Sequence, residues 1–297
     1  GAKNPLPIGI TGMVSRAVFF LWLYYLVALA GFGLGTLLCT GQVCSRYPWA
    51  SEALLSIFLL TLALVLLARL HKEAPELFRR PRPLELLGLP LWSVPVSWGF
   101  AVAGFALLPG AEGNVDIPSG LKPVELFPFW IALAVVVPLV EEAIFRGWLL
   151  RGFRLNDGRV AAVWLSALVF GLAHVLPAVA LFAFGGGLIW GRYVAKGGSL
   201  WATVFAHAVT NSMPFLFLLL DGNRPSPTGV DMRLQPLTAL PFLGIAVLLT
   251  YVYFRRNPLP AEPAPARPER SIPLFLTLVG LGIALVFALG QSLAGPG

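Results

Sequence analysis

Residues 125–150 read ELFPFWIALAVVVPLVEEAIFRGWLL, an apolar run whose interior holds three charged residues, Glu141, Glu142 and Arg146. About 20 consecutive apolar residues are enough for a helix to cross a bilayer. A charged side chain at the centre of such a helix costs roughly 2.5–3.5 kcal/mol even on the lenient insertion scales, so its presence indicates function. The run therefore predicts a transmembrane helix with a functional site inside it.

The rest of the chain has the composition of a polytopic membrane protein. Hydrophobic residues make up 57% of the 297 residues, charged residues make up 12%, and the mean hydropathy is +0.80. The apolar runs lack the alternation of barrel strands, and each span must satisfy its own backbone in lipid. The prediction is an all-α membrane bundle of about eight to nine transmembrane helices. Its nine candidate spans are 14–39, 51–69, 86–109, 125–150, 160–176, 178–195, 199–220, 237–254 and 272–291.

The basic residues predict the orientation of the bundle. With a cytoplasmic N-terminus, all but four of the 21 Lys and Arg side chains fall on the cytoplasmic side, the exceptions being Arg46, Lys122, Arg224 and Arg233. This asymmetry follows the positive-inside rule and accounts for the net charge of +7. No basic patch is interleaved with exposed aromatic residues, so nucleic acid is not an expected partner. We expect a multi-pass protein of the cell (inner) membrane in contact with membrane lipids.

Changes in composition divide the chain into three parts. Residues 1–124 hold N-terminal helices and a charged cytoplasmic linker at 71–83, and residues 125–220 hold the polar spans. Residues 221–297 hold C-terminal helices and a Pro/Ala-rich linker at 257–273.

Two smaller features concern packing and redox state. Glycines at 185–187 and 191 form a stripe that would let a second helix approach closely. Cys39 and Cys44 fall in the first external loop, and the sequence allows either a disulfide between them or two free thiols.

Glu142 and Arg146 are four residues apart on one helical face, with the acid N-terminal to the base, which favours an ion pair. Glu141 is rotated by about 100° from Glu142 and cannot share that pair equally. The spacing therefore predicts that Arg146 neutralises Glu142 and that Glu141 is left for chemistry.

Two of the three histidines also lie in apolar spans. His174 lies in the fifth span, and His207 lies in the seventh, four residues before Asn211 and on the same helical face. His71 lies in the charged linker and is expected on the surface. A single buried histidine is more often a structural hydrogen-bonding group than a catalyst, but together with an unpaired glutamate these residues predict one shared polar cavity.

The chemistry that suits this set is general-base activation of water. Glu141 would take a proton from the water, His174 would hold the same water, and His207 and Asn211 would stabilise an oxyanion. Ser212 points off the face of its motif, so no serine or cysteine nucleophile is expected. A zinc ion is the alternative, but the two histidines lie on different helices. No metal and no cofactor are expected.

The depths of these residues conflict if all the helices are straight. Measured from the basic helix ends at about 1.5 Å per residue, Glu141 lies about 15 Å deep, His207 about 12 Å and His174 about 22 Å. Helix tilt, or a fifth helix that begins below the surface, would have to close this gap.

Three motifs resemble those of the CPBP family of CAAX proteases and bacteriocin-processing enzymes, which includes the type II CAAX prenyl endopeptidases. The motifs are Glu141-Glu142-Ala-Ile-Phe145-Arg146, Phe170-Gly-Leu-Ala-His174 and His207-Ala-Val-Thr-Asn211, in the family's order. The resemblance covers about 125–220. It implies Glu141 and His174 as the residues that activate water, His207 and Asn211 as the oxyanion site, and Glu142 and Arg146 as supports.

The resemblance implies a metal-independent intramembrane glutamate endopeptidase that opens toward the cytoplasm. Its substrate would be a lipidated, CAAX-like tail or another membrane-embedded peptide. Two alternatives stay open at this point: a non-catalytic immunity or regulatory membrane partner, and a proton-coupled transporter. Intramembrane Glu, His and Arg are equally typical of a transporter, but the inverted repeats of many carriers are not visible.

Overall fold

A computed structural model describes residues 11–38, 49–107, 122–220 and 236–261, together with 277, 278, 280, 281 and 284. These residues are helical apart from short connections, and no strand occurs among them. The predicted all-α membrane bundle is confirmed. Cys39, Cys44 and most of the predicted ninth span lie outside the described residues.

Nine α-helical segments of the described part are numbered in chain order. They are α1 Thr11–Leu38, α2 Ala50–Glu73, α3 Pro83–Leu107, α4 Pro123–Trp130, α5 Val137–Glu142, α6 Leu150–Leu172, α7 Pro177–Ala195, α8 Leu200–Leu220 and α9 Pro236–Arg256. Two π-helical turns, Ile131–Val136 and Ala143–Leu149, join α4, α5 and the start of α6 into one helix. A 3₁₀ helix, Pro75–Phe78, lies in the predicted linker 71–83.

Seven helices of the described part are long and apolar enough to cross a membrane. One of them, Val124–Leu172, has 49 residues. A straight helix of that length would measure about 74 Å, more than twice the roughly 30 Å of the hydrocarbon core. This segment must therefore reverse direction, so it accounts for two of the predicted spans, 125–150 and 160–176.

The reversal is at Gly158, whose φ of 81° and ψ of 167° interrupt the helical backbone of α6. Glycine reaches this region without the penalty that a Cβ imposes. Residues on either side of the turn then meet: the Phe145 and Phe170 ring centroids are 4.8 Å apart. Gly158 thus places the first motif beside the second.

The glycine stripe on α7 permits the close approach that the sequence predicts. A Cβ on Gly185 would lie 3.3 Å from the Cα of Ser97 on α3, and one on Gly187 would lie 3.1 Å from the Cα of Ala167 on α6. Both neighbours are backbone atoms, which cannot rotate away. Helix α7 therefore packs tightly between α3 and α6.

Several basic residues that the sequence assigns to the cytoplasmic side lie at one end of the described bundle, which we call the basic end. Arg16 pairs with Glu73 at 3.1 Å, and Arg151 pairs with Glu76 at 3.3 Å. Arg79 Nε donates to the carbonyl oxygen of Gly197 at 3.1 Å. The N-terminal end of α1 and the starts of α3 and α8 therefore share this end.

Candidate active site

Glu142 and Arg146 form the predicted ion pair. Arg146 Nη1 lies 2.9 Å from Glu142 Oε1, and both side chains are at most 1% exposed. The same oxygen accepts a hydrogen bond from Nδ1 of His207 at 3.0 Å. Glu142 therefore connects its own helix to α8 as well as neutralising Arg146.

Glu141 lies between the two imidazoles. Its Oε1 is 3.9 Å from Nε2 of His174, and its Oε2 is 3.7 Å from Nε2 of His207. The carboxylate is buried, with 6% of its side chain exposed. Polar groups at these separations are too far apart for direct hydrogen bonds but close enough for one water to bridge them. The structure thus brings Glu141, His174 and His207 together.

The backbone contacts of His174 determine which ring nitrogen faces Glu141. His174 Nδ1 lies 2.8 Å from the carbonyl oxygen of Phe170. Because a carbonyl only accepts, Nδ1 carries the proton, and Nε2 is the nitrogen that presents a lone pair toward Glu141 when the ring is neutral.

His174 is not inside a helix, which corrects the prediction that it lies within the fifth span. Helix α6 ends at Leu172, and His174 lies in the turn before Pro177 begins α7. The next residue, Val175, has a φ of 58°, a left-handed conformation that is rare for a β-branched side chain. Such outliers persist where the surrounding structure holds them, often at functional sites.

The same reversal resolves the conflict in depth. Helix α6 continues past Arg151 to Gly158 before the chain turns back, and these seven residues extend it by about 10 Å. When the depth of His174 is counted from Gly158, which lies about 10 Å farther toward the basic end than Arg151, it matches the depth of Glu141. The fifth helix therefore begins farther toward the basic end than Arg151. This is one of the two explanations that the sequence analysis proposed.

Aromatic rings surround the charged cluster. The Trp190 and His207 rings stack with centroids 4.5 Å apart and an interplanar angle of 24°. The Arg146 guanidinium lies 4.2 Å from the centroid of Phe170, and Phe170 also meets His174 edge-on at 4.9 Å. The Phe of the second motif therefore packs against Arg146 of the first and His174 of the second.

Asn211 contacts the same helix as His207 does, but at Leu133, eight residues before Glu141. Its Nδ2 donates to the carbonyl oxygen of Leu133 at 3.0 Å, in the first π-helical turn. One turn of helix away, His207 contacts Glu142, so the shared face of His207 and Asn211 is confirmed. An amide nitrogen carries two protons, and this bond uses only one.

Two tyrosines and one tryptophan at the site lie outside the three motifs. Tyr24 on α1 donates from its hydroxyl to Glu141 Oε1 at 3.2 Å, and Tyr25 donates to the carbonyl oxygen of Ala173. One signal was available in the sequence. Tyrosines of membrane helices concentrate at the two interfaces, whereas Tyr24 and Tyr25 lie in the middle of α1. For Trp190, no spacing in the sequence distinguishes it from an ordinary core residue.

In the part of the chain that the structure describes, no group of three or more His, Cys, Asp or Glu side chains is arranged to hold a metal ion.

These motifs lie within a segment that matches a known family. Residues 123–213 match the Rce1-like family, described as type II CAAX prenyl endopeptidase Rce1-like. The resemblance drawn from the three motifs is confirmed over this segment. The Rce1-like match implies a protease of the CAAX type, and together with the apolar helices it indicates an integral membrane protein. No curated protein and no solved structure matches the chain.

Proposed function

We propose that this protein is an intramembrane endopeptidase in which Glu141 activates a water that hydrolyses a peptide bond. The observation that carries this proposal is the placement of one buried carboxylate between two Nε2 atoms, at 3.9 and 3.7 Å. A water beside these atoms would donate one proton to Glu141 and the other to the lone pair of His174. Both lone pairs of its oxygen would stay free, and one of them would face a substrate carbonyl carbon.

The hydrolysis divides into two proton-balanced steps. Glu141 takes one proton as the water oxygen bonds to the carbonyl carbon, and the carbonyl oxygen becomes an oxyanion. The intermediate then expels the amine as the C–N bond breaks, and the proton held by Glu141 goes to the leaving nitrogen. Hydrogen-bond donors near the oxyanion stabilise both transition states.

His207 and Asn211 are the proposed oxyanion donors. The Nδ1 proton of His207 is already directed at Glu142, so Nε2 donates only when the ring carries both protons. Asn211 would donate the amide proton that Leu133 does not use.

The proposed substrate is a lipidated, CAAX-like tail or another peptide embedded in the membrane, cut near its C-terminus. Glu141 lies about 15 Å from the basic end, measured along its helix from Arg151. A lipid chain within the bilayer would bring a tail to this depth without dehydrating the whole peptide. Entry from the basic side is part of the proposal, as the resemblance to the CAAX proteases implies.

For location, we propose the cell (inner) membrane with the N-terminus in the cytoplasm. The shared end of Arg16, Arg79 and Arg151 supports this orientation, because positively charged segments are retained in the cytoplasm. The three-part division of the chain remains a proposal, with residues 125–220 as the catalytic core.

The test uses purified protein in lipid nanodiscs and a quenched farnesylated peptide. We expect wild type to release the tail, o-phenanthroline and EDTA to leave the rate unchanged, and Glu141→Ala to abolish release in a folded protein. The matched control is Glu52→Gln, on α2 and away from the cluster. If the chelators stop the release, the reaction depends on a metal ion, and the glutamate mechanism is wrong. If no membrane peptide is cut, solute uptake into sealed vesicles would support the carrier alternative, and a stable protein complex would support the partner alternative.

A further inference from the structure

Helix α1 contributes a polar group to the proposed reaction. The Tyr24 hydroxyl lies 3.2 Å from Glu141 Oε1, although the two residues are 117 positions apart and Tyr24 lies outside the matched segment 123–213. A carboxylate only accepts hydrogen bonds when it is ionised, so the phenol is the donor. We propose that Tyr24 is a positioning residue that orients the Glu141 carboxylate and keeps it in its basic form, an inference that rests on the proposed function.

The orientation follows from how the carboxylate oxygens are occupied. Tyr24 uses one lone pair of Oε1, and Oε2 has no hydrogen-bond partner among the described residues. Each carboxylate oxygen has room for a second donor. The bond to Tyr24 therefore fixes the rotation of the carboxylate while leaving lone pairs directed at the gaps beside His174 and His207.

The effect of Tyr24 on the charge of Glu141 follows from the groups around this carboxylate. Glu141 faces Tyr24 and Tyr25 of α1, His174 in its turn, His207 of α8, and Glu142 and Arg146 of its own helix. Arg146 is engaged by Glu142 at 2.9 Å, so the adjacent cation is already paired. A hydrogen bond to the ionised form favours that form. Tyr24 thus opposes the tendency of a buried carboxylate to hold a proton that would prevent it from acting as a base.

A purely structural role would leave a different signature. The Tyr24 and Tyr25 rings lie 5.5 Å apart, and Tyr25 binds the carbonyl oxygen of Ala173. If Tyr24 only packed against these groups, its hydroxyl could be removed with little effect on chemistry. The phenol-to-carboxylate bond predicts that the hydroxyl matters separately from the ring.

The experiment compares Tyr24→Phe with wild type, using cleavage of the farnesylated peptide in nanodiscs across pH. Hydrogen bonds to charged groups correspond to a change of about tenfold to a hundredfold. We expect kcat to fall by about that factor, KM to stay within about twofold, and the acidic limb of the pH–rate profile to move to higher pH. Tyr251→Phe, on the exposed face of α9, is the matched control and should behave as wild type.

The outcomes separate this inference from the proposed function. If Glu141→Gln cleaves normally, the proposed function fails, and the Tyr24 inference fails with it. If Glu141→Gln is inactive and Tyr24→Phe has the kcat and pH profile of wild type, only the inference fails. If Tyr24→Phe does not fold, 3-fluorotyrosine is introduced at position 24 instead, because its hydroxyl is a stronger hydrogen-bond donor. We then expect the acidic limb of the pH–rate profile to move to lower pH. An acidic limb at the wild-type position would overturn the inference.

Discussion

Glu142 Oε1 accepts a hydrogen bond from His207 Nδ1 at 3.0 Å, while the same oxygen pairs with Arg146 at 2.9 Å. One buried oxygen thus serves a salt bridge within a helix and a contact between helices. Glu141, the preceding residue, makes no salt bridge to Arg146 and lies between the Nε2 atoms of His174 and His207. The two adjacent carboxylates therefore have different expected functions, one structural and one chemical.

This difference predicts opposite effects on stability. Removing one partner of a buried ion pair costs about 3–5 kcal/mol, because the other charge is left uncompensated. We expect Glu142→Ala to lower the free energy of unfolding by about that amount. Glu141→Gln, which removes a carboxylate without leaving Arg146 unpaired, should stay within about 1 kcal/mol of wild type. Reversible unfolding in mixed micelles measures both. If both variants lost the same free energy of unfolding, this would contradict a structural role for Glu142 and a chemical role for Glu141.

Asn211 gives a prediction about the oxyanion. Loss of one oxyanion donor lowers kcat by about 10²- to 10³-fold. We expect Asn211→Ala to show a fall of that size with little change in KM. If the amide only anchors the Leu133 carbonyl, the fall in kcat would be less than about tenfold, in proportion to the loss of stability. The comparison needs kcat and the free energy of unfolding for the same preparation.

Tyr25 predicts an effect on the turn that carries His174. Its hydroxyl donates to the carbonyl oxygen of Ala173, and a neutral hydrogen bond contributes about 0.5–1.5 kcal/mol. Tyr25→Phe should lower kcat by about threefold to tenfold and leave the shape of the pH–rate profile unchanged, unlike Tyr24→Phe. A shifted profile would mean that Tyr25 acts on Glu141 and not on the turn.

Gly171 tests the approach of α7 to α6 beside His174. A Cβ at Gly171 would lie 2.8 Å from the carbonyl oxygen of Ala180 and 3.2 Å from the Cβ of Phe184. Overpacking of this kind costs about 1–3 kcal/mol, so Gly171→Ala should be destabilised and should lose activity through displacement of His174. Gly244→Ala, where a Cβ meets nothing within 4 Å, is the control. Wild-type stability of Gly171→Ala would show that the helices can separate freely.

Local sequence patterns predicted the contacts that lie within single helices. The Glu142–Arg146 pair follows from a spacing of four residues, and the common face of His207 and Asn211 follows from the same periodicity. In both cases, the relevant distance is determined by helix geometry alone. The glycines of α7 predicted that another helix approaches closely, but not which helix it is.

Contacts between distant segments could not be read in the same way. The break at Gly158 is visible as a glycine, but nothing local indicates that α6 continues past Arg151 before turning. The location of His174 in a turn depends on where α6 ends. Pro177 indicates a helix end nearby, but no residue of the sequence shows that α6 already ends at Leu172, before His174. The bond from Tyr24 to Glu141 depends on how α1 packs, which the sequence of α1 does not encode by itself.

The most direct measurement is the single-turnover cleavage rate of Glu141→Gln with the farnesylated peptide, beside wild type and Glu52→Gln. General-base catalysis contributes about 10²- to 10⁴-fold. The account predicts a loss of at least a hundredfold for Glu141→Gln, with wild-type rates for Glu52→Gln and unchanged thermal stability. A rate for Glu141→Gln within about tenfold of wild type would contradict the account, because water would then be activated by some other group.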